Sequence, residues 1–443
     1  MKAKRLGLRI GAALLSLCLT LIVLFSITAC TAGSDEILSK DELRENIDTD
    51  GRSYEYVWEY LDRWDYPTFD GDRLKEVEYT FKTKYYTDLP DTDYLAEQTA
   101  TTFLDKYYDE IDLESMDEVT DAIIRSYVLS VGDRYALYRT EEEYSDYKSK
   151  TPGTLVGVGI RVTMATDNEN ASVIYTTKGS PAEAAGILPG DVIVAVDGNR
   201  ISEIGYKSGI DLIPGEVGTY VNLTVKRGDA EEFDLRVMRA MMDVRLVEYA
   251  ILGNGIGYIS ISSFKPSPYE EFKEAVDYMK ANGARGIIYD LRGNLGGYLS
   301  AATDVIEYLA PPGTTVVSYT DYYDEPTIDD TDECYTPPAV ILTNYNTASA
   351  AELFTAAVCD LANMGYGSAV RVGKATRGKG VMQSTYTLSN GAALTLTVAY
   401  YNPPSGNNFH GVGLEPDVEV DNTGYRDLQL ERAYAEINKL INN

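Results

Sequence analysis

The sequence has little basic charge, few cysteines and a single histidine. Each shortage limits the structures or functions that the chain can have. Its 443 residues include 39 Lys and Arg against 69 Asp and Glu, a formal charge of −30. Nucleic-acid binding needs clustered basic side chains, so we expect no nucleic-acid partner. Four cysteines are too few for a disulfide framework in a chain of this length. Because His410 is the only imidazole, a serine–histidine–carboxylate site could use that residue alone.

The amino terminus has the features of an export signal. Basic residues precede an apolar run from Ile10 to Ile27, which ends in Thr28-Ala29-Cys30 and resembles a bacterial lipobox. This predicts a signal peptide over residues 1–29, lipidation of Cys30, and a protein anchored on the extracytoplasmic side of a bacterial membrane. A transmembrane anchor and an ordinary signal peptide are the alternatives, but the short run ending on small residues and Cys favours the lipobox. Whether Cys334 and Cys359 pair is left open.

The rest of the chain changes character twice, which predicts a multidomain α/β (α+β) protein. Residues 30–150 form an acidic, helical N-terminal region, with apolar side chains at helical spacing between Val119 and Val131. Residues 151–240 are typical of short strands and turns, forming a small β-barrel-like domain with helices. Residues 241–443 alternate strands with helices, as in an α/β core.

Ser349 is the first candidate catalytic residue. It follows the apolar run Ala339–Thr343, a predicted buried strand, and opens a helix through Leu353 to Leu361. A serine at such a turn lies beside unpaired backbone N–H groups, which suit the oxyanion formed when a hydroxyl attacks a carbonyl. The pattern Ser349-x-x-Glu352 equally fits a helix-capping box that needs no catalysis.

A serine nucleophile needs a base, and Lys379 is the candidate. Burial can lower the pKa of a lysine enough to leave it neutral. Lys379 lies between Gly378 and Gly380, which allow close backbone approach. A nucleotide-binding loop is rejected because Gly380 stands where Ser or Thr should bind magnesium. The Ser-x-x-Lys pattern of penicillin-recognising enzymes occurs at Ser145 and at Ser262. The Lys-Thr-Gly sequence that accompanies it in those enzymes is absent from the chain.

Together these segments resemble the carboxy-terminal-processing, or tail-specific, serine peptidases of the S41 family, from about Glu118 to the C-terminus. The resemblance implies that Ser349 attacks, that Lys379 takes its proton and that Gln383 holds Lys379 in place. The segment from Asp290 to Gly297 matches the family's glycine-rich strand end. It implies an oxyanion hole formed by the N–H groups of Gly297 and Ala350.

Other segments are similar to further parts of these enzymes. Leu155 to Ile160 and Ser180 to Gly198 resemble a PDZ domain, in which four residues would hold a peptide's terminal carboxylate while the peptide adds a strand: Gly157, Val158, Gly159 and Ile160. The segment from Asp133 to Tyr144 resembles the one before the PDZ domain. The segment from Tyr400 to Asp417 resembles the closing motif and gives His410 a structural part. No cofactor or metal is expected.

The sequence departs from the family pattern without removing a catalytic group. Leu295 replaces the usual Pro or Gly, Arg377 replaces an aromatic residue, and Pro214 replaces a basic residue in the PDZ segment. The interval from Ser349 to Lys379 is also a few residues longer than usual, and we expect the extra residues to lengthen a loop.

Three functions are compatible with these patterns. The leading one is a serine endopeptidase that cuts proteins near exposed, mostly apolar C-terminal tails recruited by the PDZ domain. The second is a catalytically silent or latent scaffold that binds such tails, and the third is hydrolysis of small esters or amides. The expected partners are proteins with free C-termini and, through the lipid, a membrane. Homo-oligomerisation and the role of residues 31–117 are left open.

Overall fold

The computed structural model describes residues 69–149, 154–320, 326–328 and 334–442. The predicted signal peptide and Cys30 lie outside the described residues. Among the residues described, no helix is long and apolar enough to cross a membrane. Cys334 and Cys359 are free thiols. The chain forms a multidomain mixed α/β structure, as predicted.

The N-terminal region is a small helical unit. Its helices begin at polar side chains that accept otherwise unpaired N–H groups, namely Asp70, Asp91 and Ser115. The helix predicted around Val119–Val131 is confirmed and buries the expected apolar face. In chain order the elements are α1 (Gly71–Lys84), α2 (Thr92–Lys106), α3 (Met116–Ser130), β1 (Leu137–Arg139) and α4 (Glu141–Ser149).

The second region is a β-sheet with short helices. Its main sheet has the strand order β3-β4-β5-β7-β8, with β6 on β5, and a separate pair, β2 and β9, brings the two ends of the region together. The elements are β2 (Thr154–Gly157), β3 (Ile160–Met164), β4 (Ala171–Thr176), α5 (Pro181–Ala184), β5 (Val192–Val196), β6 (Asn199–Arg200), α6 (Ile201–Ile204), α7 (Tyr206–Asp211), β7 (Tyr220–Lys226), β8 (Phe233–Met238) and β9 (Ala240–Asp243).

The third region is built on the six-stranded sheet β10-β11-β12-β15-β16-β19, parallel except for its edge strand β10. Strands β12 and β15 are buried throughout, as their apolar runs predicted. The elements are β10 (Val247–Leu252), β11 (Ile256–Ile261), α8 (Tyr269–Ala281), β12 (Gly286–Asp290), α9 (Leu299–Glu307), β13 (Thr315–Thr320), β14 (Thr327–Ile328), β15 (Ala339–Thr343), α10 (Ala350–Asn363), β16 (Ala369–Gly373), β17 (Val381–Thr387), β18 (Ala393–Asn402), β19 (Val418–Glu419) and α11 (Leu428–Asn442).

A second sheet joins the first and third regions. Strand β18 pairs with β13 and β17, and also with β1 of the N-terminal region, where Leu137 lies opposite Thr395. One apolar cluster combines Val77, Phe81 and Ile124 of the helices with Leu394 and Leu396 of β18. The N-terminal region is therefore part of the structure that supports the β17–β18 hairpin.

Candidate active site

Ser349 lies at the turn between β15 and α10 in an unusual backbone conformation. Its φ and ψ are 59° and −122°, a region that residues with a side chain rarely occupy and that costs about 1–3 kcal/mol. The surrounding bonds hold it there: Ala348 N–H donates to Asn294 O at 3.0 Å, and the Thr347 hydroxyl donates to Leu291 O at 2.9 Å. The serine is thus fixed to the segment that follows β12.

That segment is the glycine-rich turn predicted beside the nucleophile. A Cβ on Gly296 would lie 2.8 Å from the Ser349 Cβ, and one on Gly297 would lie 2.2 Å from the Phe264 carbonyl carbon. Both positions therefore require glycine. Asn294 is fully buried and orders the turn, since its Oδ1 accepts the Gly296 N–H at 2.8 Å. The turn lies against Ser349 and Ala350, where the resemblance requires an oxyanion hole.

Glu352 connects the serine and lysine segments. Its side chain is fully buried, and Oε2 accepts the N–H groups of Ser349 and Lys379, each at 2.8 Å. Its Oε1 accepts the Gly378 N–H at 2.7 Å and the Thr376 hydroxyl. The capping role predicted for Glu352 is present, because the carboxylate accepts the Ser349 N–H. The same carboxylate also holds the lysine loop, so capping and a catalytic role are compatible.

The Lys379 side chain is largely buried against the N-terminal region. Its Nζ lies 4.9 Å from the centre of the Tyr135 ring. Burial lowers the pKa of Lys379, as does the positive charge of Arg377, while the negative charges of Asp133 and Glu352 act in the opposite direction. A lowered pKa is the condition that a lysine must meet to act as a base near neutral pH.

Two other side chains, Tyr401 and Gln383, lie near this pair. The Tyr401 hydroxyl donates to the Lys379 carbonyl at 2.6 Å and lies 3.4 Å from Ser349 Oγ. Gln383 Nε2 donates to Val381 O at 3.2 Å and, more weakly, to Thr397 Oγ1 at 3.4 Å. In the part of the chain that is described, neither of these bonds reaches Lys379, so the holding role of Gln383 stays a prediction.

His410 packs between two aromatic rings rather than beside the serine. Its ring centre lies 6.0 Å from that of Tyr135 and 5.6 Å from that of Tyr400. Its Nδ1 is buried without a hydrogen-bond partner among the described residues. This placement agrees with a structural part for the imidazole.

A cavity of about 480 Å³ brings the predicted residues together. Ser349, Lys379, Gln383 and Gly297 all line it, together with Tyr401. Sequence reasoning did not assign Asp133, Tyr135 or Tyr401 to the site, although each lies in a segment that resembles the family. The clue that Tyr135 belongs here is tertiary, because its loop is held near Lys379 by the pairing of β1 with β18 and by the Thr397 N–H, which donates to Asp133 Oδ2 at 3.2 Å.

The predicted carboxylate-binding loop lies between β2 and β3. The Gly159 φ is +81°, and a Cβ there would lie 2.3 Å from Ser180 Cβ, so the position requires glycine. The carbonyls of Val158 and Gly159 accept N–H groups of Ala182 and Thr177, both at 2.9 Å. Gly157 ends β2 and Ile160 begins β3. These bonds and the close approach of Ser180 to Gly159 fix the shape of the loop.

Comparison with known proteins gives the class of protein that this fold and cavity belong to, a serine-type peptidase with a PDZ domain. The profile of Peptidase family S41 matches residues 255–420 and that of the PDZ domain matches residues 173–227. A "Probable CtpA-like serine protease" of Staphylococcus epidermidis (strain ATCC 12228 / FDA PCI 1200) is 32% identical over 361 residues, 81% of this chain and 67% of the relative. One of Staphylococcus aureus (strain bovine RF122 / ET3-1) is 35% identical over 321 residues, 72% of this chain and 63% of the relative.

Among solved structures, the photosystem II D1 C-terminal processing protease is 24% identical, with a TM-score of 0.46 over 79% of this chain and 92% of that one. The relative of Staphylococcus epidermidis establishes the family. The chain belongs to peptidase family S41 and is a serine-type peptidase.

Proposed function

We propose that the protein is a serine endopeptidase in which Ser349 is the nucleophile and Lys379 the general base. One observation carries this proposal: a strained serine at a strand-to-helix turn and a largely buried lysine line the same cavity. Glu352, which binds the backbone of both residues, supports it further. A catalytically silent scaffold would have no need for a fully buried carboxylate that holds the backbone of both residues.

The proposed reaction follows from these positions. Neutral Lys379 takes the proton of the Ser349 hydroxyl as Oγ attacks the substrate carbonyl carbon. The N–H groups of Gly297 and Ala350 stabilise the oxyanion that forms. The Lys379 ammonium then gives its proton to the leaving amine as the peptide bond breaks. Water, deprotonated by Lys379, hydrolyses the acyl-enzyme and regenerates the serine.

We further propose that the PDZ domain recruits substrates by their free C-terminal tails. The loop Gly157–Ile160 would bind the terminal carboxylate, and the tail would pair with β3, which is an edge strand. The predicted lipid on Cys30 would place the enzyme on the extracytoplasmic face of a bacterial membrane, next to exported proteins.

The test is cleavage of an unfolded protein with an apolar C-terminus, supplied as the free acid and as the amide. We expect cleavage of the free acid and much slower cleavage of the amide, because the amide lacks the carboxylate. A fluorophosphonate probe should label wild type but not Ser349→Ala, with intact mass as readout. A wild type that binds the tail but neither cuts it nor reacts with the probe would favour the scaffold alternative.

The pH dependence of cleavage should report the Lys379 pKa. Protonated Lys379 cannot accept the serine proton, so kcat/KM should rise with pH, with a midpoint below about 10.4, the ordinary lysine value. Arg377→Gln removes a positive charge that lowers the Lys379 pKa, so the midpoint should move to higher pH.

Lys374→Gln is the matched control for Arg377→Gln. It removes one positive charge from the same segment, but Lys374 is paired with Glu419 and Asp421 at 2.9 and 2.7 Å. The midpoint should therefore stay in place in this variant. A midpoint that moves equally in both variants, or downward in Arg377→Gln, would contradict the assignment of this ionisation to Lys379.

A further inference from the structure

The edge of β3, where a tail would bind, is already partly occupied. Strand β3 pairs with β4 on one side, and on its other side the described structure has no paired strand. Ile160 and Val162 of β3, with Tyr206 and Ile210 of α7, are partly buried against the same apolar cluster. These elements form the groove that the proposed function assigns to tails.

A segment of the peptidase core closes the far end of this groove. The Met164 N–H, at the end of β3, donates to the Tyr425 carbonyl at 3.2 Å. The Tyr425 ring lies 5.1 Å from the ring of Tyr206, the first residue of α7. Two further bonds fix the segment: Asp427 N–H donates to Thr163 Oγ1 at 3.0 Å, and Arg426 donates to Asn168 Oδ1 at 3.3 Å.

The length left for a tail follows from strand geometry. Alternate residues of a strand direct their N–H groups to the same edge, so Val162 and Met164 face the groove edge together. A tail running antiparallel to β3 would place its last residue beside Ile160, its third-from-last beside Val162 and its fifth-from-last beside Met164. The Tyr425 carbonyl already accepts the Met164 N–H to which this fifth residue would have to bind.

We propose that Tyr425 is a specificity-determining residue that limits tail recognition to about the last three or four residues. This inference rests on the proposed recruitment of C-terminal tails. A longer tail makes no additional strand pairing unless it displaces Tyr425 from Met164 and Tyr206. Substrates are therefore proteins recognised by a short terminal signature, whatever the sequence that precedes it.

Peptide binding by the full chain tests this inference. Ser349→Ala, which cannot cleave, would be titrated by calorimetry with acetylated free-acid peptides of three, four, six and eight residues that share one apolar C-terminus. We expect affinity to rise to about the fourth residue and then to change less than about twofold. Adding Tyr425→Gly, which removes the ring from Tyr206 and loosens the segment, should leave the three-residue affinity unchanged and strengthen six-residue binding about fivefold or more.

The matched control is Tyr366→Gly, since Tyr366 is a comparably exposed loop tyrosine of the peptidase core, 45% exposed against 52% for Tyr425. It should bind every peptide as the parent does. If parent affinity rises steadily through eight residues and Tyr425→Gly leaves that series unchanged, Tyr425 sets no limit and the inference is wrong, while tail recruitment stands. If no peptide binds, or amides bind as well as free acids, tail recruitment itself fails and this inference fails with it.

Discussion

Replacing Lys379 with methionine should lower kcat/KM for cleavage about 1,000-fold or more while the protein stays folded, because the variant has no base to take the serine proton. Methionine keeps the apolar length of the side chain in the contact with Tyr135 and removes an amine that burial disfavours in its charged form. The midpoint of urea unfolding should therefore be unchanged or higher. Labelling of Ser349 by the fluorophosphonate probe should slow in parallel with cleavage.

Two companion variants sharpen this test. Lys379→Arg keeps a positive charge but cannot lose its proton near neutral pH, so it should be as inactive as Lys379→Met. Lys374→Met removes a lysine of the same segment that is paired at the surface, and it should cleave like wild type. Substantial cleavage by Lys379→Met would mean that another group is the base, and His410→Asn would then be the next variant to measure.

Replacing Glu352 with alanine should strongly reduce activity and also destabilise the fold. The change leaves three backbone N–H groups, of Ser349, Gly378 and Lys379, and the Thr376 hydroxyl without their buried acceptor. Loss of one partner from a buried, charged hydrogen-bond network costs about 3–5 kcal/mol of unfolding free energy. We expect cleavage to fall at least about 100-fold, because Ser349 loses the contact that helps to hold its strained backbone.

Glu352→Gln tests whether activity depends on the hydrogen bonds of this carboxylate or only on the protein being folded. Each carboxylate oxygen accepts two donors, so an amide can satisfy one pair only and must turn its own NH₂ towards the other. Activity measured per folded molecule should therefore remain low even where urea unfolding shows a folded protein. Glu232→Gln, at an exposed ion pair with Arg200, should leave cleavage unchanged. Full activity in Glu352→Gln would show that this carboxylate does not position the catalytic pair.

The sequence predicted the parts of the fold that depend on local pattern. The helical spacing around Val119–Val131 gave α3, and the apolar runs gave the buried strands β12 and β15. The candidates Ser349 and Lys379 follow from turn chemistry and resemblance, since Ser349 stands between a predicted strand and a predicted helix and Lys379 stands between two glycines.

The contacts that complete the site could not be predicted in this way. Tyr135 reaches Lys379 because β1 pairs with β18, and a three-residue strand such as β1 carries almost no periodic signal. Tyr425 lies on a loop without apolar pattern, and its place beside Met164 depends on how the peptidase core packs against the region that contains β3. Both contacts arise from tertiary packing, and each adds a residue that sequence reasoning did not single out.

The pairing of β1 with β18 also determines when the site of a newly synthesised chain can assemble. Leu137 to Arg139 leave the ribosome long before their partners Ala393 to Thr395, and at usual rates of synthesis the interval is roughly 10–50 s. Until β18 arrives, Tyr135 has no fixed place beside Lys379. A nascent chain therefore carries the proposed nucleophile, Ser349, before the proposed base, Lys379, has its contact with Tyr135, and we expect proteolysis only after β18 has been made and has paired with β1.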